Sequence, residues 1–406
     1  MFSVGSRARG LTLGFRSSVA AIGVAGACLG IAGTEPASAT GIGGLPPFIS
    51  DLHIGYAATE AADAGADALQ SHKRTRVDNI QNGSFWAQGL NFGTEPRYFA
   101  SPDNDGAGAL GYSSRKRIAD NPLAAYAKAP PMAPPVMSPI RYAAWGQFYV
   151  DAEWRKGTFA GADIGRDSTT LGGIGGVDAV ISGIRSQTDA LVVGAFGGTM
   201  SSRIRNNDGS RGTVEGPSAG MYAAYVNGGF SIDGMYKVDF LDLDRTAPGV
   251  AILVLGMTNH TVAININNKI PMQNGWWVEP TMGFSHSTSL WDGASTALGY
   301  QDGTEVRIQG GARAGTTFRH GNVQLEPTFT AMAYSPIIVD GGSVAAAAGT
   351  PAAPTDAGKL FGQFAAKLNV IWSRYFSSYV EGEVRGSTDV LGAAGRIGAR
   401  YNFNPS

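Results

Sequence analysis

The 406-residue chain has a single cysteine, Cys28, so a disulfide framework cannot hold it together. Charge is sparse: Asp, Glu, Lys and Arg make up 16% of the residues, with 31 basic against 32 acidic and a formal net charge of −1. No basic excess marks a nucleic-acid-binding face. No phosphate-binding Gly-Lys-Ser/Thr loop and no His-Glu-x-x-His occurs. His53, His72, His260 and His320 are isolated from one another, without the spacing of metal ligands. No cofactor is therefore expected. Beyond residue 39 there is no apolar run of 18 residues, which excludes membrane-spanning helices but not membrane-spanning strands.

Glycine is abundant, with 58 residues, and aromatics reach 10%. Residues 1–39 read as a secretory signal peptide. Arg7, Arg9 and Arg16 precede the apolar run Ser18–Gly33, and Ala37–Ala39 (ASA) offers a small-residue cleavage site after Ala39. Residues 40–140 are irregular, with no fixed repeat that could build a solenoid passenger. Within them the alanine-rich stretch Ala57–Gln81 suits a helix whose charges cluster at its end, and Ala125–Ile140 reads as an extended proline-rich linker. This region is expected to be a short passenger, a linker or a plug of the pore.

From Arg141 the texture changes. Twelve alternating segments begin near Arg141, Asp167, Asp189, Gly212, Gly229, Thr258, Gly275, Thr304, Asn322, Gly358, Arg374 and Asp389, separated mostly by Gly/Asn/Asp turns. In the first, Tyr142, Ala144, Gly146, Phe148, Val150, Ala152 and Trp154 fall on one face, against Gln147, Asp151 and Glu153 on the other. Long segments with aromatics near the ends of the apolar face fit a barrel in a membrane, apolar toward lipid and polar toward the lumen. The fold class is thus all-β: an antiparallel transmembrane barrel of about twelve strands over residues 141–406, preceded by an irregular, partly helical segment. Asp151, Glu153, Glu279, Arg307, Arg313, Glu326, Arg396 and Arg400 are expected in the lumen, with Lys237, Glu381 and Glu383. They carry both signs and should pair to hold the barrel's shape. Pro280 and Pro327 recur in the related stretches VEPTMGF and LEPTFTA, where β-bulges are expected.

Two matches to catalytic patterns carry little. Gly216–Gly220 (GPSAG) has the form of a nucleophile elbow around Ser218, but a strand pattern follows it rather than a helix. His286 lies among serines with no acidic support nearby. Neither is taken as catalytic.

The stretch from Arg141 to Phe403 resembles the autotransporter β-domain, the outer-membrane translocator of type V secretion. The likeness rests on WGQFYVDAEW, GGVDAVIS, GMYAAY, WWVEPTMGF and the final RIGARYNF, in that order. The resemblance implies a twelve-stranded barrel with a helical segment threading its pore, and passage of an N-terminal segment to the cell surface. It implies no enzymatic activity. It also implies that Arg396, Gly398, Tyr401 and Phe403 form a C-terminal signal read by the outer-membrane barrel-assembly machinery, with periplasmic chaperones and outer-membrane lipid as further partners of a monomeric barrel. The alternatives are a porin-like or structural outer-membrane barrel with the N-terminal segment folded in the lumen, and a barrel-embedded hydrolase.

Overall fold

The structure, a computed structural model, describes residues 47–82, 140–159, 162–186, 188–246, 252–297, 300–340 and 355–403. The signal peptide, most of the proline-rich stretch and the tail Asn404–Ser406 lie outside the described residues. One long helix, α1 (Pro47–Gln81), precedes twelve strands. These are β1 (Arg141–Arg155), β2 (Arg166–Ser182), β3 (Asp189–Asn206), β4 (Arg211–Asn227), β5 (Phe230–Thr246) and β6 (Leu253–Asn268). Then follow β7 (Trp276–Trp291), β8 (Gly303–Thr316), β9 (Val323–Asp340), β10 (Phe361–Ile371), β11 (Phe376–Gly386) and β12 (Val390–Asn402).

Each strand pairs antiparallel with its neighbours, and β12 pairs back onto β1 from Ala143↔Asn402 to Arg155↔Val390. Closure leaves no free edge, as a sheet in lipid requires. The alternation is strict on β1: Phe148 is 72% exposed, while Gln147, Tyr149, Asp151 and Glu153 are buried. A polar interior and an apolar exterior invert the order of a soluble protein and fit a bilayer as solvent. Among the described residues no helix is long and apolar enough to cross a membrane.

The connections differ between the two ends. At the end where the chain enters at Ile140 and leaves at Phe403 they are short, down to the two-residue turn Gly228–Gly229. At the other end they include residues 156–165, 292–302 and 341–360. Short turns mark the periplasmic side of such barrels and long loops the outside.

Three local expectations need correction. No bulge occurs at Pro280 or Pro327. Thr281↔Asn267 and Val278↔Ile270 keep one register, so Pro280 sits in a gap of the β6–β7 ladder where no N–H is required. Pro327 lies in a similar gap between Gly315↔Thr328 and Phe318↔Leu325. The register shift falls elsewhere, between Val306↔Ile338 and Arg307↔Pro336, beside another proline that cannot donate. β6 begins at Leu253, not near Thr258. The alternation of the eighth segment, read from near Thr304, runs on in the sequence to Phe318 and Arg319, but β8 ends at Thr316 and these two belong to a separate short strand.

Gly398 has a steric role. It lies opposite Tyr379 on β11, whose ring occupies the space a Cβ would need. The Tyr379 hydroxyl in turn donates to Gln147 across the closing strand. Gly398→Val should therefore lower the fraction of heat-modifiable barrel on gels, and Tyr379→Ala should restore part of it by vacating that space.

Candidate functional site: the lumenal helix and its charged cradle

The helix occupies the lumen. Its 35 residues extend about 52 Å at 1.5 Å per residue, enough to run the full height of the barrel. Nearly all side chains from Ala57 to Gln81 are buried or half-buried against the wall. Its direction is fixed by contacts at both ends. Glu60 pairs with Arg155 at the end of β1 (2.6 Å) and with Arg166 at the start of β2, on the long-loop side. At the other end Gln81 donates to the carbonyl of Gly229 at 2.9 Å, in the β4–β5 turn. The chain thus runs from the long-loop side to the short-turn side.

Two textures divide the helix. Its first half is rich in alanine. Ala57, Ala58, Ala61 and Ala62 are buried in the same apolar cluster as Leu241, Leu243, Leu255 and Met257 of β5 and β6. Small side chains keep the helix thin where the wall projects large ones inward. At Gly65 an added Cβ would stand 3.0 Å from Lys237 Nζ and 3.0 Å from the Tyr149 hydroxyl, so the helix backbone lies close to the wall there. The second half carries the charges foreseen at its end, and each finds a partner. Lys73 Nζ bonds Asp233 at 2.6 Å, Arg74 bonds Glu279 at 3.1 Å, and Arg76 bonds Asp178 at 2.9 Å. Asp78 accepts from Arg313 at 2.6 Å. Earlier along the helix Asp67 lies 3.5 Å from Arg307.

Further hydrogen bonds continue the docking. Ser71 donates to Glu381 at 2.6 Å, Lys367 to Thr75 at 3.1 Å, and Asn369 to Asn79 at 2.7 Å. The His72 ring stacks on Trp145 with centroids 3.6 Å apart, and its Nε2 lies 2.8 Å from Nη2 of Arg400. A buried ion pair adds little net stability, because desolvation opposes the attraction, yet breaking one strands a charge at a cost of about 3–5 kcal/mol. This set of pairs therefore fixes the register of the helix more than it adds to its grip. Sliding α1 by one residue would unmake the pairs together.

The wall residues singled out from sequence are placed as follows. Glu279 and Arg313 contact both each other (2.7 Å) and the helix. Arg307 and Arg400 also reach the helix. Asp151 and Glu153 pair instead with Arg385 of the wall, Asp151 at 2.7 Å. Glu326 accepts from Gln324 and Asn369. Arg396 bridges Glu381 (2.5 Å) and Glu383 (2.6 Å). The expectation of pairing within the wall is thus half the arrangement, because the helix supplies the other partners. Asp178, Arg155, Arg166 and Arg385 went unnoticed in the sequence, although alternation places Asp178 on the inner face within GGVDAVIS. Of the C-terminal four, Arg396 and Gly398 face inward, while Tyr401 and Phe403 face outward with centroids 5.4 Å apart.

At the mouth Arg155 also binds Asp356 at 2.6 Å, clamping the last part of the long β9–β10 connection. Burial alone would raise the Asp356 carboxyl, but the charges of Arg155 and Lys359 hold it below the usual carboxylate range. A depressed carboxyl stabilises the fold above its unfolded pKa. This clamp should accordingly weaken as pH falls through the folded value.

The catalytic patterns do not assemble. Ser218 lies mid-way along the unbroken strand β4, with no turn or helix after it. His286 projects outward while Ser287 and Ser289 project inward, so the wall separates them. Among the described residues no group of His, Cys, Asp and Glu could hold a metal ion.

A closed twelve-stranded barrel with a helix along its axis narrows the choice of family, and the sequence profile of the autotransporter β-domain decides it, matching residues 144–383, more than half of the chain. The chain belongs to the autotransporter β-domain family. The β-domain of the Bordetella autotransporter BrkA superposes with a TM-score of 0.51 at 16% identity, covering 64% of this chain and 99% of that one. The transport unit of the autotransporter AIDA-I from Escherichia coli gives 0.46 at 12% identity, covering 64% and 90%. The translocator domain of NalP from Neisseria meningitidis gives 0.44 at 12%, covering 65% and 88%. No curated protein sequence matches the chain significantly. The protein is accordingly a type V secretion barrel of outer-membrane type.

Proposed function

We propose that this autotransporter barrel exports its own N-terminal segment and keeps α1 in the lumen as the part of the chain that stays behind. The observation that carries the reading is direction. The helix begins at the long-loop side, while Asn82 and Ile140 both lie at the short-turn side. A segment that had crossed the barrel from the periplasm would be left in this orientation. The charged cradle supplies the stop: its partners come into register at one position of the helix, so the chain halts there. Insertion would be guided by the strand ending at Phe403, read by the barrel-assembly machinery after delivery by periplasmic chaperones.

Epitope tags test this in intact cells. A tag inserted just before Pro47 should be removed by added protease, and a tag between Asn82 and Ile140 should survive until the outer membrane is breached. Protection of both tags would favour a barrel that merely stores its plug. Loss of the second tag from intact cells would reverse the direction assigned here.

A further inference from the structure

Three arginines on the outer wall differ from those inside. Arg203 and Arg205 of β3 and Arg211 of β4 face outward and are exposed, and none has a hydrogen-bond or ion-pair partner among the described residues. The register sets Arg205 directly opposite Arg211. Like charges in that position destabilise a sheet, so the arrangement calls for an anion. Asp167 of β2 opposes Arg205 from the other side without reaching ion-pair distance, and Asp208 in the β3–β4 turn accepts from Ser210. Thr169 and Thr213 flank Arg203 on either side and add hydroxyl groups. Glu215 and Asp242, which face each other on β4 and β5, bound the patch on its far flank together with Asp244.

Depth narrows what the anion can be. The outward residues of β3 run Leu191, Val193, Ala195, Gly197, Thr199, Ser201, Arg203, Arg205 from the short-turn end upward. A strand rising about 3.4 Å per residue at a tilt of about 40° climbs about 2.6 Å per residue along the membrane normal. An apolar band about 25 Å tall that starts near Leu191 then ends near Ser201. Arg203, Arg205 and Arg211 lie roughly 5–12 Å above that edge on the same measure, at the level of lipid headgroups.

We propose that this patch binds the phosphate groups of a phosphorylated lipid in the outer leaflet, with the guanidiniums of Arg203, Arg205 and Arg211 as donors. A planar guanidinium forms paired hydrogen bonds to phosphate oxygens. The anion removes the repulsion between Arg205 and Arg211. The acids at Glu215, Asp242 and Asp244 confine it to the β2–β4 side. The lipid chains then lie against the upper half of the band, along Gly197, Thr199 and Ser201 of β3.

The test uses the full-length protein in detergent and bis-phosphorylated lipid A as the probe, with bound lipid counted by native mass spectrometry. The Arg203→Gln/Arg205→Gln/Arg211→Gln variant should bind about tenfold more weakly. Wild-type protein should bind dephosphorylated lipid A as weakly as the variant binds the phosphorylated form. Glu215→Gln/Asp242→Asn should bind at least as tightly as wild type. Undiminished binding by the arginine variant overturns the proposal, and so does equal binding of dephosphorylated lipid by wild type, an arm that does not depend on the variant's folding. Displacement by equimolar inorganic phosphate would mean a site for free anion, which also overturns it.

Discussion

Asp178→Ala should open the pore. In planar bilayers the wild-type barrel is expected to pass little current, and the variant to show frequent openings. Asp178 accepts from Arg76 of the helix at 2.9 Å, from Arg400 of β12 at 2.9 Å and from the Tyr222 hydroxyl at 2.8 Å. Removing it leaves two guanidiniums facing each other in a buried site. At about 3–5 kcal/mol for a stranded buried charge, docking of α1 weakens by about two to three and a half orders of magnitude at about 1.4 kcal/mol per tenfold. Asp178→Glu keeps the charge and should keep most of the closure. Wild-type conductance in Asp178→Ala would show that the apolar half of the helix holds it alone.

The second large effect concerns assembly. Phe403→Ala is expected to reduce the yield of heat-modifiable barrel about tenfold, whereas a chain ending at Phe403 should assemble like the full-length protein. The Phe403 amide donates to the Tyr142 carbonyl at 2.9 Å, the last rung of the seam between β12 and β1. Its ring packs edge-on to Tyr401 on the outer face. The substitution keeps the rung and deletes the ring, a side chain worth about 1.5–3 kcal/mol when withdrawn from water. Normal yields from Phe403→Ala would mean that the rung suffices and the aromatic signal is not read.

The strands were legible because each has one face for lipid and one for water-like surroundings, so period two survives over 11 to 18 residues. Where that contrast fails the pattern fails with it. β6 opens with Leu253, Val254, Leu255 and Gly256, and its inward Leu255 and Met257 pack on the apolar cluster around the helix. Both faces are apolar there, and the start of the strand is hidden. The helix was visible as an alanine-rich run from Ala57, but its beginning at Pro47 was not, since no acidic residue marks its first turn. The cradle was half legible. Alternation put Glu279, Arg307, Arg313 and Arg400 inside, but which charge meets which depends on helix rotation and strand register. Neither is written in local sequence.

The central claim is that α1 threads the barrel in one register. In a Cys28→Ser background, Asn79→Cys and Asn369→Cys replace a pair whose side chains meet at 2.7 Å. A short bis-thiol crosslinker is applied to intact outer membranes, and the chain is then cut at a protease site engineered between Asn82 and Ile140. The helix fragment should stay joined to the barrel on a denaturing gel. It should separate when residue 79 is paired instead with Ser287→Cys, which contacts Asp63 about 24 Å away along the helix. Release of the fragment from the 79–369 pair, or equal joining in both pairs, would contradict the threaded, registered helix.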